Sequence, residues 1–367
     1  MAVSRINEAG LNVNQYGNRN IIINGAMQVA QRGTSFTGLG ADGENYNLDR
    51  FVTFASSTAG RVSIAQNNDS PDGFANAMSI ACTTADTSVA AGEIFFLQHR
   101  IEGQDLQRFA KGTSVAKEYT VSFYVKGNAS ATYVCELYDV DNDRHVAKTF
   151  SVTTGWTRVE LTFPADTTGA FGDDNGRSLD LTIWLHAGST YTGGTLPSTW
   201  AAKVNANRAV GAGSIFDSTS RTFFMTGLQM EVGDTATDFE HRTFADELQR
   251  CQRYCQRHPS QDQADGGNYS ILGAAGWAAG ASDANVPMQL PTTMRIEPTA
   301  TFSGNWRIVH TNTASNVSSG PVIHDSYCSV SAVYMGATCA ASLTAGQGVA
   351  INANNDTDAH LLLDSEL

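Results

Sequence analysis

Between Ile21 and about Phe239 the chain is a succession of short runs in which apolar and polar residues alternate, and this pattern limits the fold more than any other feature. In Tyr119-Thr-Val-Ser-Phe-Tyr-Val125 and Thr157-Arg-Val-Glu-Leu-Thr-Phe163 the period is two, which gives a strand one apolar and one polar face. Further runs fall at Phe51–Phe54, Arg61–Ile64, Ala77–Ala81, Glu93–His99, Thr132–Leu137, Lys148–Val152, Leu179–Ala187 and Arg221–Val232. Turn chemistry separates them: Ala59-Gly60, Asp72-Gly73, Lys126-Gly127-Asn128, Asp141-Asn142-Asp143 and Asp174-Asn175-Gly176. Many antiparallel strands without alternating helices predict a mainly β fold, a two-sheet jelly-roll β-sandwich over residues 21–240.

The flanking segments differ. Residues 1–20, punctuated by Asn12, Asn14, Asn18 and Asn20, are polar and lack periodicity, which suits an extended attachment arm ordered by a partner. One helix is predicted within 243–258. Thr243 and Asp246 form a capping pair, Asp246 and Glu247 occupy the first turn, Arg250, Arg253 and Arg257 follow, and Pro259 closes it. Its apolar positions Phe244, Leu248, Cys251 and Cys255 are spaced four, three, four, the stripe of a coiled-coil seam. A helix of about four turns is marginal alone, so the stripe needs a cover, either the sandwich or two symmetry mates in a homotrimer. A linker at 259–268 leads to a β-rich tip at 269–367, with strands expected at Thr301–Phe302, Trp306–His310, Ser329–Met335 and Val349–Ala353. Gly, Ala and Ser dominate this tip, so a thin core and burial between chains are expected.

The net charge of −13 and the shortage of Lys and Arg argue against nucleic acid or an anionic membrane as partner. Only 16% of residues are charged, so the polar surface consists mainly of neutral hydrogen-bonding groups, as in many extracellular β-proteins. The six cysteines show no CxxC and no dense framework; Cys328 and Cys339 flank an expected hairpin and could pair, though buried thiols suit the spacing better. No signal-peptide pattern and no long apolar run is present, which leads to the expectation of assembly in a cytoplasm without membrane insertion.

Several stretches resemble a known family. Asn20-Ile-Ile-Ile-Asn-Gly-Ala-Met-Gln-Val-Ala-Gln-Arg-Gly-Thr-Ser-Phe36 with Asn47-Leu48-Asp49-Arg50-Phe51 looks like the opening of tailed-bacteriophage tail-fibre and minor tail proteins. Phe96–Gly103, Thr120–Lys126 and Phe223–Gly233 resemble that family's sandwich, which is similar to carbohydrate-binding modules. Phe239-Glu-His-Arg-Thr-Phe244 running into Leu248–Tyr254 is the most specific match, and Met294-Arg295 with Pro298-Thr299 fits the distal β-domain. Where the family often has a second aromatic after Tyr254, this chain has Cys255. The resemblance implies a virion protein: a trimeric fibre docked by its N-terminus to a tail or adaptor protein, contacting a bacterial surface glycan or outer-membrane receptor without catalysis. It brings no catalytic residue. The rival readings are a glycan-degrading tailspike and a purely structural tail or head-fibre component.

Candidate site residues follow from chemistry. Sugar recognition uses flat aromatic faces beside neutral and acidic hydrogen-bonding groups, and Tyr191, Trp200, Trp277 and Trp306 are the candidates, while Trp156 at the start of an alternating strand and Trp184 in an apolar run suit the core. Asp139, Asp141 and Asp143 alternate as calcium ligands do, but Arg144 stands where such a loop needs Gly and Phe150 where it needs Glu, so an exposed turn is the better reading. Cys251, Cys255 and His258 would share a helical face and could approach zinc, yet lack a fourth ligand; no metal and no cofactor is expected. Hydrolysis needs two carboxylates about 5–10 Å apart, and Glu93, Glu102, Glu231 and Glu240 belong to no recognisable constellation. Receptor contact is expected after the helix, in loops such as Thr311–Gly320 and Asn352–Asp358, with the sandwich as the competing location.

Overall fold

The computed structural model describes residues 17–259, 269–311 and 313–367. The expected arm at 1–20 falls almost wholly, and the linker at 259–268 all but its first residue, outside the described residues. The chain divides into two compact units, Met1–Glu247 with Leu367, and Leu248–Glu366.

The first unit contains β1 (Ser35–Leu39), β2 (Gly43–Tyr46), β3 (Phe51–Ser56), β4 (Arg61–Asn67), β5 (Ala77–Thr84), β6 (Ile94–Glu102), β7 (Tyr119–Gly127), β8 (Ala131–Asp139), β9 (Arg144–Val152), β10 (Thr157–Phe163), β11 (Arg177–Ala187), α1 (Ser189–Thr192), β12 (Ala201–Ala202) and β13 (Thr222–Val232). They form a jelly-roll sandwich of two antiparallel sheets, ordered β1-β4-β5-β13-β7-β10 and β12-β9-β8-β11-β6-β3-β2. The alternation decides which residues meet between the sheets. Tyr119, Val121, Phe123 and Val125 of β7 pack with Phe95, Leu97, Leu181, Ile183 and Tyr133 from the other sheet, while Thr120, Ser122, Tyr124 and Lys126 take the opposite face.

In β13 the phase of the core residues changes midway, from Phe223 and Met225 to Leu228 and Met230. The cause is a bulge: the register with β7 shifts between Thr226 and Gln229, around Gly227 at φ +64°. A side chain there would be strained, and would meet the Phe74 ring at 2.8 Å and Tyr124 at 3.0 Å. Before the bulge β13 pairs with β5; after it, the N-terminal segment runs alongside, with Leu228 N–H donating to Gly25 O (2.9 Å) and Ile21 N–H to Met230 O (3.1 Å).

The same contacts explain why the family-like stretches belong together. Glu240 accepts the amides of Asn18 and Asn20, and Arg242 donates to the carbonyls of Ile22 (3.0 Å) and Asn20. Asn24 bridges Val29 (2.8 Å) and Asp49 (3.0 Å) through its amide nitrogen, and Asp49 in turn accepts Gln31 N–H at 2.7 Å. The segments around Asn20, Asp49, Leu228 and Glu240 therefore hold one another in place within this unit.

The helix, α2, spans Phe244–Gln252, shorter than expected. Its N-terminus is capped as anticipated, Asp246 N–H donating to Thr243 Oγ1 at 3.3 Å. Its C-terminus is not where Arg257 and Pro259 pointed, because Cys255–His258 leaves the helix and forms strand β14. The second unit continues with β15 (Ile271–Ala278), β16 (Asp283–Gln289), β17 (Thr299–Ser303), β18 (Trp306–His310), β19 (Thr313–Ile323), β20 (Ala332–Cys339), β21 (Gly348–Ala353) and β22 (His360–Asp364). Six strands close a barrel, β15-β16-β20-β19-β18-β21, and β14-β22-β17 form a small sheet. Closure removes barrel edges and encloses Val286, Met288, Ile308, Val333, Met335 and Ile351. The barrel buries an apolar interior within one chain, a fuller core than the small residues of this segment led to expect.

Candidate functional site

In the first unit, the centre of the outward face of the seven-stranded sheet is covered. Phe96, Val134 and Trp184 pack with Ala209 under Tyr191, Leu196 and Ala212, contributed by the excursion between β11 and β13. Beside them lies the carboxylate of Glu136, fully buried, which accepts His145 Nδ1 (2.8 Å), Trp184 Nε1 (2.9 Å) and Arg208 Nε and Nη2 (both 2.9 Å). Burial alone would raise the Glu136 carboxyl; the Arg208 guanidinium and the His145 hydrogen bond outweigh it and hold the group below its ordinary range. A carboxylate with every donor supplied by the protein serves structure.

The sequence candidates separate sharply. Trp200 is buried in the main core, its indole N–H on Pro164 O at 2.8 Å, and Trp306 is buried with its N–H on Ser303 O at 3.0 Å. Neither presents a face to a ligand. Tyr191 is half-buried, tilted against Trp184 at 5.6 Å. Trp277 is 43% exposed. Trp156, assigned to the core from its neighbours, is instead half-buried, with its N–H on Asp69.

Asp139, Asp141 and Asp143 diverge. Asp139 pairs with buried Lys111 (2.5 Å), Asp141 accepts Gly172 N–H (2.9 Å), and Asp143 pairs with Lys203 (2.6 Å). Cys251, Cys255 and His258 do not share a helical face, since the last two sit on β14 opposite Asp364 and Leu361. Of the seam residues, Phe244 is 52% exposed and Leu248 half-buried, whereas Cys251 and Cys255 are buried in the single chain. Cys328 and Cys339 are separate thiols, Cys328 Sγ accepting Tyr334 N–H at 3.3 Å. The glutamates have partners within the protein: Glu93 meets His186 at 3.1 Å, Glu231 accepts the amide and hydroxyl of Thr237 (2.9 and 2.7 Å), and Glu240 holds the N-terminal segment. Glu102 is buried and accepts Gln104 Nε2 at 2.5 Å. Thr311–Gly320 is mostly not a loop, because β19 begins at Thr313.

Around Trp277 the structure assembles what the sequence left scattered. On the barrel exterior Trp277 of β15 stands opposite Asn285 of β16, and Pro287 of β16 opposite Tyr334 of β20. The Trp277 and Tyr334 rings meet edge to face, centroids 6.0 Å apart. Tyr327, 73% exposed on the short 3-10 turn Asp325–Tyr327, tilts onto Tyr334 at 5.3 Å, and His324 meets it at 5.7 Å. Gly336 leaves room for the His324 ring, which an added Cβ would strike. By strand register the neutral side chains of Asn285, Gln289 and Thr338 share this face. Only Trp277 of this cluster was among the candidates. Tyr334 carried a signal, since its place between Val333 and Met335 gives it the outward phase; Tyr327 and His324 carried none.

No family model matches the chain, and no curated protein does. Solved structures do align: a CBM4 module at 12% identity over 57% of this chain and 97% of that one, TM-score 0.28; a family 11 carbohydrate-binding module of a Clostridium thermocellum cellulosomal cellulase at 13% over 54% and 99%, TM-score 0.28; and the enzymatically active domain of bacteriophage CBA120 tailspike protein 4 at 10% over 58% and 21%, TM-score 0.30. At these scores the similarities carry no functional argument.

Proposed function

We propose that this chain is a glycan-binding adhesin that acts without catalysis, using the outer face of the second unit's barrel. The observation that carries this reading is the contiguous cluster of exposed Trp277, Tyr327 and His324 around half-buried Tyr334, beside neutral hydrogen-bonding side chains. A sugar ring has an apolar C–H face and a rim of hydroxyls, and such a surface offers a partner to each; exposed aromatic patches are otherwise costly to keep in water. The finer placement is a homotrimeric tail fibre, carried on the virion by its N-terminal segment and meeting a bacterial surface glycan. It rests on the resemblance of residues 20–36, 47–51, 223–233 and 239–254 to phage fibres. Three copies of a weak site would combine into firm attachment. The local partners of Glu93, Glu231 and Glu240 support a role without hydrolysis.

The test is binding of the full chain to host cells and to their isolated polysaccharide, compared with Trp277→Ala/Tyr334→Ala. Covering about half of the exposed Trp277 surface at ~25 cal/mol/Å² corresponds to roughly 1 kcal/mol per ring, so the double variant should bind about tenfold or more weakly. Undiminished binding by a correctly folded double variant refutes the assignment. Release of reducing ends from that polysaccharide, lost on changing one carboxylate, would replace it with the tailspike reading.

A further inference from the structure

The barrel face also specifies a charge class. We infer that its glycan is uncharged or amine-bearing, and that uronic-acid, sialic-acid and phosphorylated glycans are excluded; this rests on the glycan-binding reading above. The strands forming and flanking the face, with their connections, lie in residues 269–290 and 313–349, and these contain no Lys and no Arg. The arginines of this unit, Arg250, Arg253, Arg257, Arg295 and Arg307, all lie outside those segments. Arg307 stacks on Tyr269 at 4.0 Å from β18, and Arg295 donates to the carbonyls of Ser365 (2.8 Å) and Glu366 (2.6 Å). An anionic sugar on the rings would therefore find neither the bidentate nor the point-charge partner that carboxylate and phosphate recognition uses.

The face instead carries negative charge at both ends. Asp283 is exposed on β16, two residues from Asn285 on the same side, and its carboxylate accepts the hydroxyls of Ser282 (3.1 Å) and Thr338 (3.0 Å). Exposed Asp325 adjoins His324 at the other end. Neither has an ionic partner among the described residues. Outward side chains two residues apart on a strand are about 7 Å apart, inside the ~8 Å screening length of physiological salt, so a ligand charge beside Asn285 and Trp277 is felt by Asp283. An ammonium is attracted by these carboxylates and by the aromatic faces together.

The experiment uses the full chain at pH 8, screened against an array of neutral, amino-sugar, uronic, sialylated and phosphorylated glycans. Trp277→Ala/Tyr334→Ala identifies the signals that depend on this face. A matched pair, alginate oligomers and their carboxyl-reduced neutral forms, is titrated alongside in 20 mM and 500 mM salt. Face-dependent signals should be confined to neutral and amino sugars. The acidic oligomers should bind at least about tenfold more weakly than the reduced ones at low salt, a gap that narrows at high salt and in Asp283→Asn/Asp325→Asn. Face-dependent binding of acidic glycans as tight as neutral ones overturns the charge inference while leaving the glycan site standing. Absence of any face-dependent signal overturns the site itself, and the inference with it.

Discussion

Replacing Glu136 by Leu tests whether the covered face of the sandwich is held by its buried carboxylate. The side chain of Glu136 is 0% exposed, that of His145 0% and that of Arg208 15%. The substitution leaves the indole N–H of Trp184, the His145 ring and the guanidinium without their acceptor. Removing one partner of a buried ion pair costs about 3–5 kcal/mol, and the partial exposure of Arg208 places this case at the lower end, ~3 kcal/mol. For a domain of this size that is a fall in Tm of roughly 6–12 °C. Glu136→Gln, which keeps shape and one acceptor oxygen, should cost less. Glu136→Leu/Arg208→Leu should recover much of the loss, because a well-packed apolar pair often replaces a buried ion pair without penalty. Calorimetry of the full chain, following the sandwich transition, reads all three. A Glu136→Leu transition within about 1 °C of the parent would refute the reasoning. So would a double variant that loses the sum of the single losses.

Gly25→Ala should destabilise the first unit by about 1–3 kcal/mol, since the new methyl is driven against the Leu228 carbonyl; unchanged midpoints in urea would show that the N-terminal segment yields freely. Leu248→Asp should dissociate the proposed trimer into single chains by light scattering, and a parent protein that is a folded monomer at micromolar concentration would end the trimer proposal. Stability should also fall as pH drops below about 6.5. Burial first, and the nearby Arg50 second, hold His99 well below that ordinary imidazole value, so the unfolded chain takes up the proton before the folded one does. Burial lowers His186 and His258 in the same direction. The contribution is fully present above pH 6.5 and is lost on acidification. His99→Phe should flatten denaturation midpoints measured between pH 7.5 and 5, and an identical slope would contradict the assignment.

The sequence by itself determined the class of fold, because strand alternation is a local property: the apolar phase of Tyr119, Val121, Phe123 and Val125 faces the core. It determined where α2 begins, because Thr243 caps Asp246 within one turn. Tertiary structure decided what depends on distant partners. α2 ends at Gln252 because Cys255–His258 pairs with His360–Asp364, more than a hundred residues away, which outweighs the local signals at Arg257 and Pro259. The barrel strand Ile271–Ala278 has too little apolar pattern to announce itself, and exists by pairing with β16 and β21. The site followed the same division. Trp200, Trp277 and Trp306 are equivalent in local sequence chemistry, and what separates them is whether another segment lies over the ring. Trp200 is buried with its indole on Pro164 O, Trp306 is buried in the core of the second unit, and of the three Trp277 stays open beside Tyr334 and Tyr327, which chain closure brings to it. Side-chain type fixes what an aromatic can bind; long-range packing fixes whether anything can reach it.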